Sequence, residues 1–433
     1  MRNRPHNLDT IWWLHPGLLL LFFTLPIYCL ITLAVPKFWP GAIVLRSASF
    51  MDSQMTLLGM ACLVALCAGG LLGARIGWRA NQTTGPYFIN ETFLFVIGAL
   101  TILAYFVWFS PLLARGTLFV EREELNQLPG VTSLSQLGVP FVTCYLYASL
   151  RSGQRFSRAV DALFYSILML TLLRVYVWSE RLALIEVGVA AAVMVLTFAQ
   201  PSSKGGRRTL ALLGSWGPLL GIPALIGFFM ATELVRSWSA SYYQAQDLNF
   251  VDFMLSRLVT YYYTALNNGA GILATLSWPD DQYTYVLNWG HKLPFGVGRA
   301  FSWWFGGSDS PTWDFLDRFG DAEFNNPSGI FPIIYDLGIV WGIFYFTFLG
   351  LAAGFVYREL RRGSPLGIVL FAPFFVAILE VLRILYLNET RCFVIVMSSL
   401  FATTQFRLTP SARRQPAPAS PPSISHGTRE AMG

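Results

Sequence analysis

Charge is what this sequence most lacks. Only 12% of its 433 residues are Asp, Glu, Lys or Arg, while 54% are hydrophobic and the mean hydropathy is +0.51. Soluble domains carry about 25% charged residues. A larger core cannot absorb the deficit, because single cores stop growing near about 250–300 residues. The composition argues against a soluble enzyme, a secreted disulfide scaffold, a disordered protein and a nucleic-acid binder, and it favours a polytopic membrane protein.

Cysteine and histidine are also scarce. The chain has five cysteines and four histidines, and the cysteines fall in apolar stretches without the spacing of a zinc site or a disulfide framework. They are interpreted as small packing residues. With no Asp-x-Asp pair beside a nucleotide pocket either, we expect a protein that needs neither a metal nor a cofactor.

Long apolar runs dominate the chain. A bilayer core about 30 Å thick needs about 20 apolar residues for each spanning helix. Ten segments meet this description approximately: 17–35, 55–74, 92–114, 133–150, 159–177, 182–199, 209–231, 330–356, 366–386 and 392–406. The sequence therefore predicts an all-α fold, a membrane bundle of about ten helices.

Basic residues set the expected orientation. Seventeen of the 30 Lys and Arg residues lie in six stretches that alternate along the chain: 2–4, 75–79, 151–158, 204–208, 358–362 and 407–429. Lys and Arg accumulate in cytoplasmic loops, so both termini are expected in the cytoplasm. The net charge of +6 then reflects topology and implies no nucleic-acid partner. No cleavable signal peptide is expected, because the first apolar run is long enough to span.

The connections divide the chain into four regions. These are an N-terminal bundle of seven helices (1–231), an outer loop region (232–329), three C-terminal helices (330–406) and a Pro-, Ser- and Ala-rich tail (407–433) that is expected to be disordered. Loops as long as 232–329 are usually functional. Its segment 251–276 mixes apolar and polar residues, which favours an interfacial or re-entrant helix over a span. No internal repeat is evident, which weakens a transporter interpretation.

Four arginines at the outer ends of spans depart from the orientation rule. They are Arg174, Arg181, Arg383 and Arg391. A charged side chain at membrane depth normally has a partner, and Glu180 and Glu186 lie close in sequence. One interpretation is an ion-pair network that holds helices together. The other is an anion site, favoured because outer arginines are expected to outnumber the acids at membrane depth and because arginine recognises phosphate in a fork geometry.

Asp336 is the other intramembrane acid, expected two to three turns into the eighth span. It is a candidate to pair with an arginine or to activate a hydroxyl.

The segment 323–360, EFNNPSGIFPIIYDLGIVWGIFYFTFLGLAAGFVYREL, resembles a late signature of bacterial oligosaccharide repeat-unit polymerases, the O-antigen polymerase-like family. An Asn- and Pro-bearing loop enters a helix with Tyr335, Asp336, Gly338 and Gly342. Leu337 stands where that family often has Phe. The segment 174–187, RVYVWSERLALIEV, is similar to the family's arginine-bearing junction.

The resemblance implies a type-C glycosyltransferase fold and an enzyme of the bacterial inner membrane. Such an enzyme joins oligosaccharide repeat units carried on a polyprenyl diphosphate and releases the lipid diphosphate. Its partners would be that lipid-linked oligosaccharide, membrane lipid and a chain-length regulator. The aromatic residues of the outer loop fit either sugar stacking or an interfacial belt: Trp278, Tyr283, Tyr285, Trp289, Trp303, Trp304 and Trp313.

The expected mechanism assigns two sets of residues. Arginines would hold the diphosphate leaving group and stabilise its charge: Arg174, Arg181, Arg257, Arg299, Arg383 and Arg391. Activation of the acceptor hydroxyl would fall to Glu180, Asp336 or His291. Two alternatives stay open: a ligase that transfers a finished glycan to another acceptor, and a transporter or flippase for a lipid-linked glycan.

Overall fold

A computed structural model describes most of the chain. The described residues are 11–43, 45, 49–76, 86–116, 128, 130–178, 180–200, 203–234, 249–280, 282–293, 296–305, 311–320 and 322–408. The predicted disordered tail beyond residue 408 lies outside them.

Helices make up nearly all of the described structure. In chain order the elements are α1 (Pro16–Phe38), α2 (Ser53–Arg75), β1 (Tyr87–Ile89), α3 (Glu91–Arg115), α4 (Val131–Leu134), α5 (Gly138–Arg151), α6 (Arg158–Trp178), α7 (Arg181–Phe198), α8 (Lys204–Glu233), α9 (Phe250–Thr275), α10 (Asn288–His291), α11 (Val297–Phe305), α12 (Pro311–Phe319), α13 (Phe331–Arg362), α14 (Pro365–Glu380), α15 (Thr390–Thr403) and β2 (Phe406–Leu408).

Seven of the described helices are long and apolar enough to cross a membrane: α1, α2, α3, α6, α7, α8 and α13. Every one of the ten predicted segments overlaps a helix. However, α5, α14 and α15 have only 14, 16 and 14 residues, fewer than a bilayer core requires. The prediction of an all-α membrane protein is confirmed at this level.

Polar caps define where several helices begin. The Asp52 carboxylate accepts a hydrogen bond from the Met55 N–H at 2.8 Å, at the start of α2. Asn90 does the same for Thr92 before α3, and Ser203 does so for Gly206 before α8. Each side chain satisfies a backbone donor that has no partner inside the helix. The ends of long apolar helices are therefore set by local sequence.

The closest helix pair is α2 against α13. A Cβ at Gly69 or Gly73 would overlap the backbone carbonyl of Thr347 or Leu351, and one at Gly350 would overlap the carbonyl of Leu66. Small residues let two backbones approach this closely, which is the usual basis of helix association in membranes. The pair forms the centre of the main hydrophobic core.

One end of the bundle is closed by a two-stranded sheet. β1 pairs antiparallel with β2, with Phe88 opposite Arg407. The Gln154 side chain, in the α5–α6 connection, bonds both the N–H and the carbonyl of Ile89 at 3.0 and 2.8 Å. We call this the strand end of the molecule. It gathers three connections that the sequence assigned to the cytoplasmic side.

The helix α9 covers the segment 251–276, which was predicted to be interfacial or re-entrant. It is one uninterrupted helix that is not among the candidate spans, and its Tyr263, Leu266 and Ala270 belong to the main core. Two of its asparagines find partners inside the protein. Asn267 accepts from the Phe50 N–H at 2.7 Å, and Asn268 donates to the Phe324 carbonyl at 2.7 Å.

Candidate functional site

Five of the six predicted diphosphate-binding arginines pair with five glutamates in three neighbouring, mostly buried sets of ion pairs. We call these sets together the Arg–Glu cluster. Its members are Arg174, Arg181, Arg257, Arg383 and Arg391 with Glu180, Glu186, Glu233, Glu323 and Glu380. They come from the ends of α6, α7, α8 and α14, from the beginning of α15, and from α9 and the chain before α13. Helix termini from distant parts of the sequence therefore meet here.

Arg391 is the most fully bonded member. Its Nε and Nη2 donate to the two oxygens of Glu186 at 2.8 and 2.7 Å, and its Nη1 donates to Glu180. The Tyr386 hydroxyl adds a third donor to Glu186 at 2.7 Å. On the other side of Glu180, Arg174 donates from Nε at 2.7 Å. Arg174 also reaches the Ser135 hydroxyl at 2.9 Å.

Glu233 and Glu380 complete the cluster. Glu233, the last residue of α8, accepts from Arg181 and from Arg257 Nε, the latter at 3.0 Å. Arg383 Nε lies 2.9 Å from Glu380, without the alignment of a hydrogen bond, and its Nη1 donates to the Tyr261 hydroxyl at 2.9 Å. Four of the guanidinium groups also lie over rings, within 4.5 to 5.4 Å of the centroids: Arg174 over Trp108, Arg181 over Phe229, Arg257 over Phe324 and Arg383 over Tyr261.

These pairings correct the expectation of surplus positive charge. Among the described residues, five arginines face five glutamates, so the cluster is formally neutral. The expected excess of outer arginines over acids at membrane depth is wrong here. Paired guanidinium groups offer an incoming phosphate far less attraction than unpaired ones would. The geometry is that of an ion-pair network between helix ends, the first of the two interpretations of the sequence.

Glu180 is poorly suited to accept a proton. Burial would raise the pKa of its carboxyl, but the guanidinium groups of Arg391 and Arg174 outweigh burial and lower the pKa to about 2. An effective general base has a pKa near the working pH. The arrangement therefore argues that Glu180 bridges two arginines as a permanent carboxylate.

Arg299 and His291 lie apart from the Arg–Glu cluster contacts. Arg299 is exposed on α11 and has no hydrogen bond or ion pair with the described residues. His291 Nδ1 is 3.0 Å from the Ser302 hydroxyl, and the imidazole lies edge-on to Phe301. Burial, with a smaller contribution from Lys292, lowers the pKa of His291. The contacts describe a residue that fixes α10 against α11.

Asp336 sits closer to the end of its helix than the sequence suggested. It was expected two to three turns into the span, but α13 begins at Phe331, so Asp336 lies in the second turn. Two residues later the helix is broken at Gly338, where φ is 74° and ψ is 174°. This backbone conformation is essentially restricted to glycine. The break separates a short, buried N-terminal piece that carries Asp336 from the long remainder of α13.

Only one oxygen of Asp336 is satisfied. The residue is 1% exposed, and its Oδ2 accepts from the Val286 N–H at 2.7 Å. Its Oδ1 is buried and has no hydrogen-bond donor among the described residues. A buried carboxylate oxygen without a donor is costly for the fold. Such a group in a native protein calls for an explanation, and catalysis or an ion are among the usual ones.

Asp336 lines a cavity of about 620 Å³. Its walls come from the 279–283 turn and from both sides of the break in α13: Pro279, Asp280, Tyr283, Asp336, Leu337, Trp341, Phe344, Tyr345 and Phe348. Trp341, Phe344 and Phe348 recur at helical spacing and are 61–71% uncovered by protein. This aromatic wall lies on the side of α13, a candidate span, that the described protein leaves uncovered. The cavity thus joins a buried carboxylate to an exposed apolar surface.

The chain at 386–391 connects the cavity to the Arg–Glu cluster. Asn388 donates to the carbonyls of Tyr285 and Val286, each at 3.2 Å, and accepts from the hydroxyl of Tyr345 at 2.8 Å. Three residues further on, Arg391 enters the cluster. Asn388 therefore holds the backbone at 285–286, which contacts Asp336, and the buried ion pairs of Arg391 anchor the segment that carries Asn388.

The sequence analysis did not identify some of the residues that line the cavity. Asp280 and the aromatic wall of α13 were not singled out, whereas Asp336 and Tyr283 were. The spacing of Trp341, Phe344 and Phe348 was a readable signal, since it places them on one helix face. No sequence signal marked Asp280. Its position near Asp336 depends on a 2.8 Å hydrogen bond from its own N–H to the Tyr335 carbonyl, more than 50 residues away in the chain.

Comparisons with protein-family models, with curated proteins and with solved structures found no match. The class that the fold itself defines is an all-α helical membrane protein with a largely apolar cavity, bearing two carboxylates, beside a broken helix.

Proposed function

We propose that this protein is a glycosyltransferase of the oligosaccharide repeat-unit polymerase type. It joins repeat units carried on a polyprenyl diphosphate at the outer face of a bacterial inner membrane. In this proposal the three shorter helices α5, α14 and α15 complete a type-C arrangement of about ten membrane segments. Both termini and the strand end lie on the cytoplasmic side, and the cavity opens on the opposite side.

The observation that carries the proposal is the composition of the cavity. A buried carboxylate with an unsatisfied oxygen lies beside a wall of three aromatic residues that the described protein leaves uncovered. A substrate with a long apolar anchor and a sugar headgroup has the same division of polarity. The anchor can lie along Trp341, Phe344 and Phe348 while the sugar reaches Asp336. Ligand sites of this kind combine an apolar lining with a few placed polar groups.

The chemistry requires one proton acceptor and one leaving group. A hydroxyl of the acceptor glycan attacks the anomeric carbon of the donor, and the bond from that carbon to the diphosphate oxygen breaks. Asp336 takes the hydroxyl proton, and the lipid diphosphate departs with the bonding electron pair. Such proton transfer contributes about 10²–10⁴ in rate.

The Arg–Glu cluster has a supporting role in this proposal. It fixes the start of α15 and thereby the contacts of Asn388 with the backbone at 285–286, beside Asp336. Loss of a cluster arginine should therefore reduce the stability of the fold before it reduces the rate of transfer.

The test uses purified protein and a lipid-linked repeat unit as the sole substrate. Wild type should yield a ladder of products, and Asp336→Asn should lower the rate by at least about 100-fold, the lower bound for a lost general base. Asp161→Asn is the matched control, because Asp161 bonds Tyr145 near the strand end of the bundle and should leave the ladder unchanged.

Two outcomes would contradict the proposal. One is a wild-type protein that makes no ladder under these conditions, and the other is an Asp336→Asn variant that makes a normal one. If wild type modifies only an added second acceptor, with a single product size, then the ligase alternative is correct. Movement of the lipid-linked glycan across a bilayer without any new glycosidic bond would instead identify a transporter.

A further inference from the structure

The cavity beside Asp336 carries negative charge and no positive charge. Asp280 and Asp336 are the two ionisable acids among its nine lining residues, and none of the nine is Lys, Arg or His. The nearby Arg–Glu cluster does not supply compensating positive charge, since its arginines are paired with their own glutamates. A polyanionic headgroup entering this cavity alone would meet two carboxylates, and like charges at close range repel strongly at low dielectric constant.

The two carboxylates are held in place differently. Asp280 is oriented by its own turn, where the Thr284 hydroxyl donates to Oδ2 at 2.8 Å and the Gln282 N–H donates to Oδ1 at 3.2 Å. Its backbone N–H bonds the Tyr335 carbonyl, directly before Asp336. Asp336 is buried, and its Oδ1 has no donor among the described residues. The fold therefore places a second acid in the lining of the same cavity as a carboxylate oxygen that has no donor among the described residues.

We propose that this cavity binds a divalent cation of the magnesium type, with Asp280 and Asp336 as its protein ligands. Mg²⁺ prefers carboxylate oxygens and keeps several waters, and proteins commonly hold it with one or two carboxylates plus substrate phosphates. Within the described part of the chain, no group of three His, Cys, Asp or Glu side chains could hold a metal. A site with two carboxylates matches magnesium and does not match a closed zinc site.

This assignment replaces the expectation of a metal-free protein. The site itself follows from the charge and burial of the cavity, whereas its role in catalysis rests on the proposed function. There the cation would take its remaining ligands from the donor diphosphate and neutralise the charge that develops on the leaving group. Asp336 would hold the cation through Oδ1, the oxygen without a donor, and would take the hydroxyl proton through Oδ2. The cation would thus supply the positive charge that the paired arginines do not.

Binding is measured on the full-length protein in detergent, without any glycan. Mn²⁺ serves as the probe because its electron paramagnetic resonance signal falls when the ion is bound. We expect one saturable Mn²⁺ site per chain that excess Mg²⁺ empties. Asp336→Asn and Asp280→Asn should each weaken it by at least about tenfold, a loss seen even for residues outside the ligand shell. Asp161→Asn, the same change near the strand end, should leave the affinity unchanged.

The absence of a saturable site in wild type would overturn the inference. So would Mn²⁺ binding that both Asp variants retain in full. Because Asp336→Asn is a change at a buried position, melting temperatures without metal identify a variant that fails to fold. If Asp336→Asn does not fold, the Mn²⁺ affinity of Asp280→Asn, a change at a less buried position, tests the site.

The outcome separates the metal site from the proposed activity. If the protein binds Mn²⁺ at this site but makes no ladder, the cation site is supported and the polymerase proposal is wrong. If the protein has no Mn²⁺ site and makes a ladder that persists in EDTA, the polymerase proposal is supported and the cation site is wrong.

Discussion

Glu180 shows how the buried charges hold this molecule together. It accepts from Arg174 at the end of α6 and from Arg391 at the beginning of α15. Removing one partner from a buried ion pair costs about 3–5 kcal/mol, because the other charge is left without compensation. The cluster is therefore more sensitive to single substitutions than its small size suggests, and the effect should appear as lost stability.

The low pKa of Glu180 predicts a specific acid sensitivity. Because its pKa is about 2 in the folded protein and 4.5 in the reference state, the carboxylate contributes stability above pH 4.5. That contribution is lost as the pH falls from 4.5 towards 2. Glu180→Gln should lower the melting temperature at neutral pH and flatten its decline in acid.

Melting curves between pH 7 and pH 3 provide the measurement. Asp252→Asn, a change to an exposed carboxylate at the start of α9, is the control and should follow the wild-type profile. If Glu180→Gln also retains the full acid-dependent loss, the ionised carboxylate between two arginines is not the source of the sensitivity.

Residue types could be predicted here, but their pairing could not. Arg174, Glu180, Arg181 and Asp336 stand out in the sequence because charge is rare in apolar segments. The partners are another matter: Arg391 bonds Glu186, 205 positions away in the chain. Hydropathy and charge counts hold no information about contacts at that separation. The arginines therefore resembled a surplus until each was seen beside its glutamate.

At the scale of single elements, the break in α13 decides where Asp336 lies. Gly338 has φ of 74° and ψ of 174°, and a Cβ there would meet no atom within 4 Å. Alanine is therefore excluded by backbone conformation and not by space. Gly338→Ala should cost about 1–3 kcal/mol and, under the proposed function, should also reduce glycosyl transfer, since Asp336 is two residues away.

Gly363→Ala is the matched comparison for this prediction. Gly363 ends the same helix with φ of 70° and ψ of 26°, a left-handed conformation that alanine adopts at a cost of about 1–2 kcal/mol. It should lower stability without a specific effect on transfer. Equal loss of activity in both variants, after correction for folded protein, would show that the break does not position Asp336.

The pairing of α2 with α13 gives a second element-scale prediction. Gly350→Leu should lower the unfolding free energy by several kcal/mol, because its side chain would meet the Leu66 carbonyl and the backbone of Gly69 and Gly70. Gly188→Leu makes the same change on α7 at a position with open space and should be nearly neutral. Unfolding in a denaturing detergent titration measures both. Equal stability of the two variants would contradict the close backbone contact.

The sequence predicted where the helices lie better than it predicted where a helix is broken. Apolar length identified the long helices, since twenty such residues have few alternatives in a bilayer. It could not locate the break at Gly338, because a hydropathy sum does not register a backbone angle. It also could not foresee the partners of Asn267 and Asn268 in α9, which are backbone groups of distant segments.

At the scale of the whole molecule, the orientation across the membrane is directly testable. Trp303 in α11 is 80% exposed, and Arg155 is exposed beside the strand end. A cysteine at position 303 should react with an impermeant maleimide in intact spheroplasts, and one at position 155 only after permeabilisation. Cys29→Ser removes the one native thiol that is not buried. The opposite labelling pattern would invert the proposed topology and place the cavity in the cytoplasm.

The isolation of α8 has a consequence for the whole protein. Only 6% of the residues in its most apolar stretch are buried within the described structure. In its first half the indoles of Trp12 and Trp13 bond the carbonyls of Ser215 and Leu213, and at its last residue Glu233 meets two arginines. Its apolar part, 209–231, extends about 35 Å, slightly more than a hydrocarbon layer of about 30 Å. A thinner bilayer would therefore increase the tilt of this helix and pull directly on Glu233.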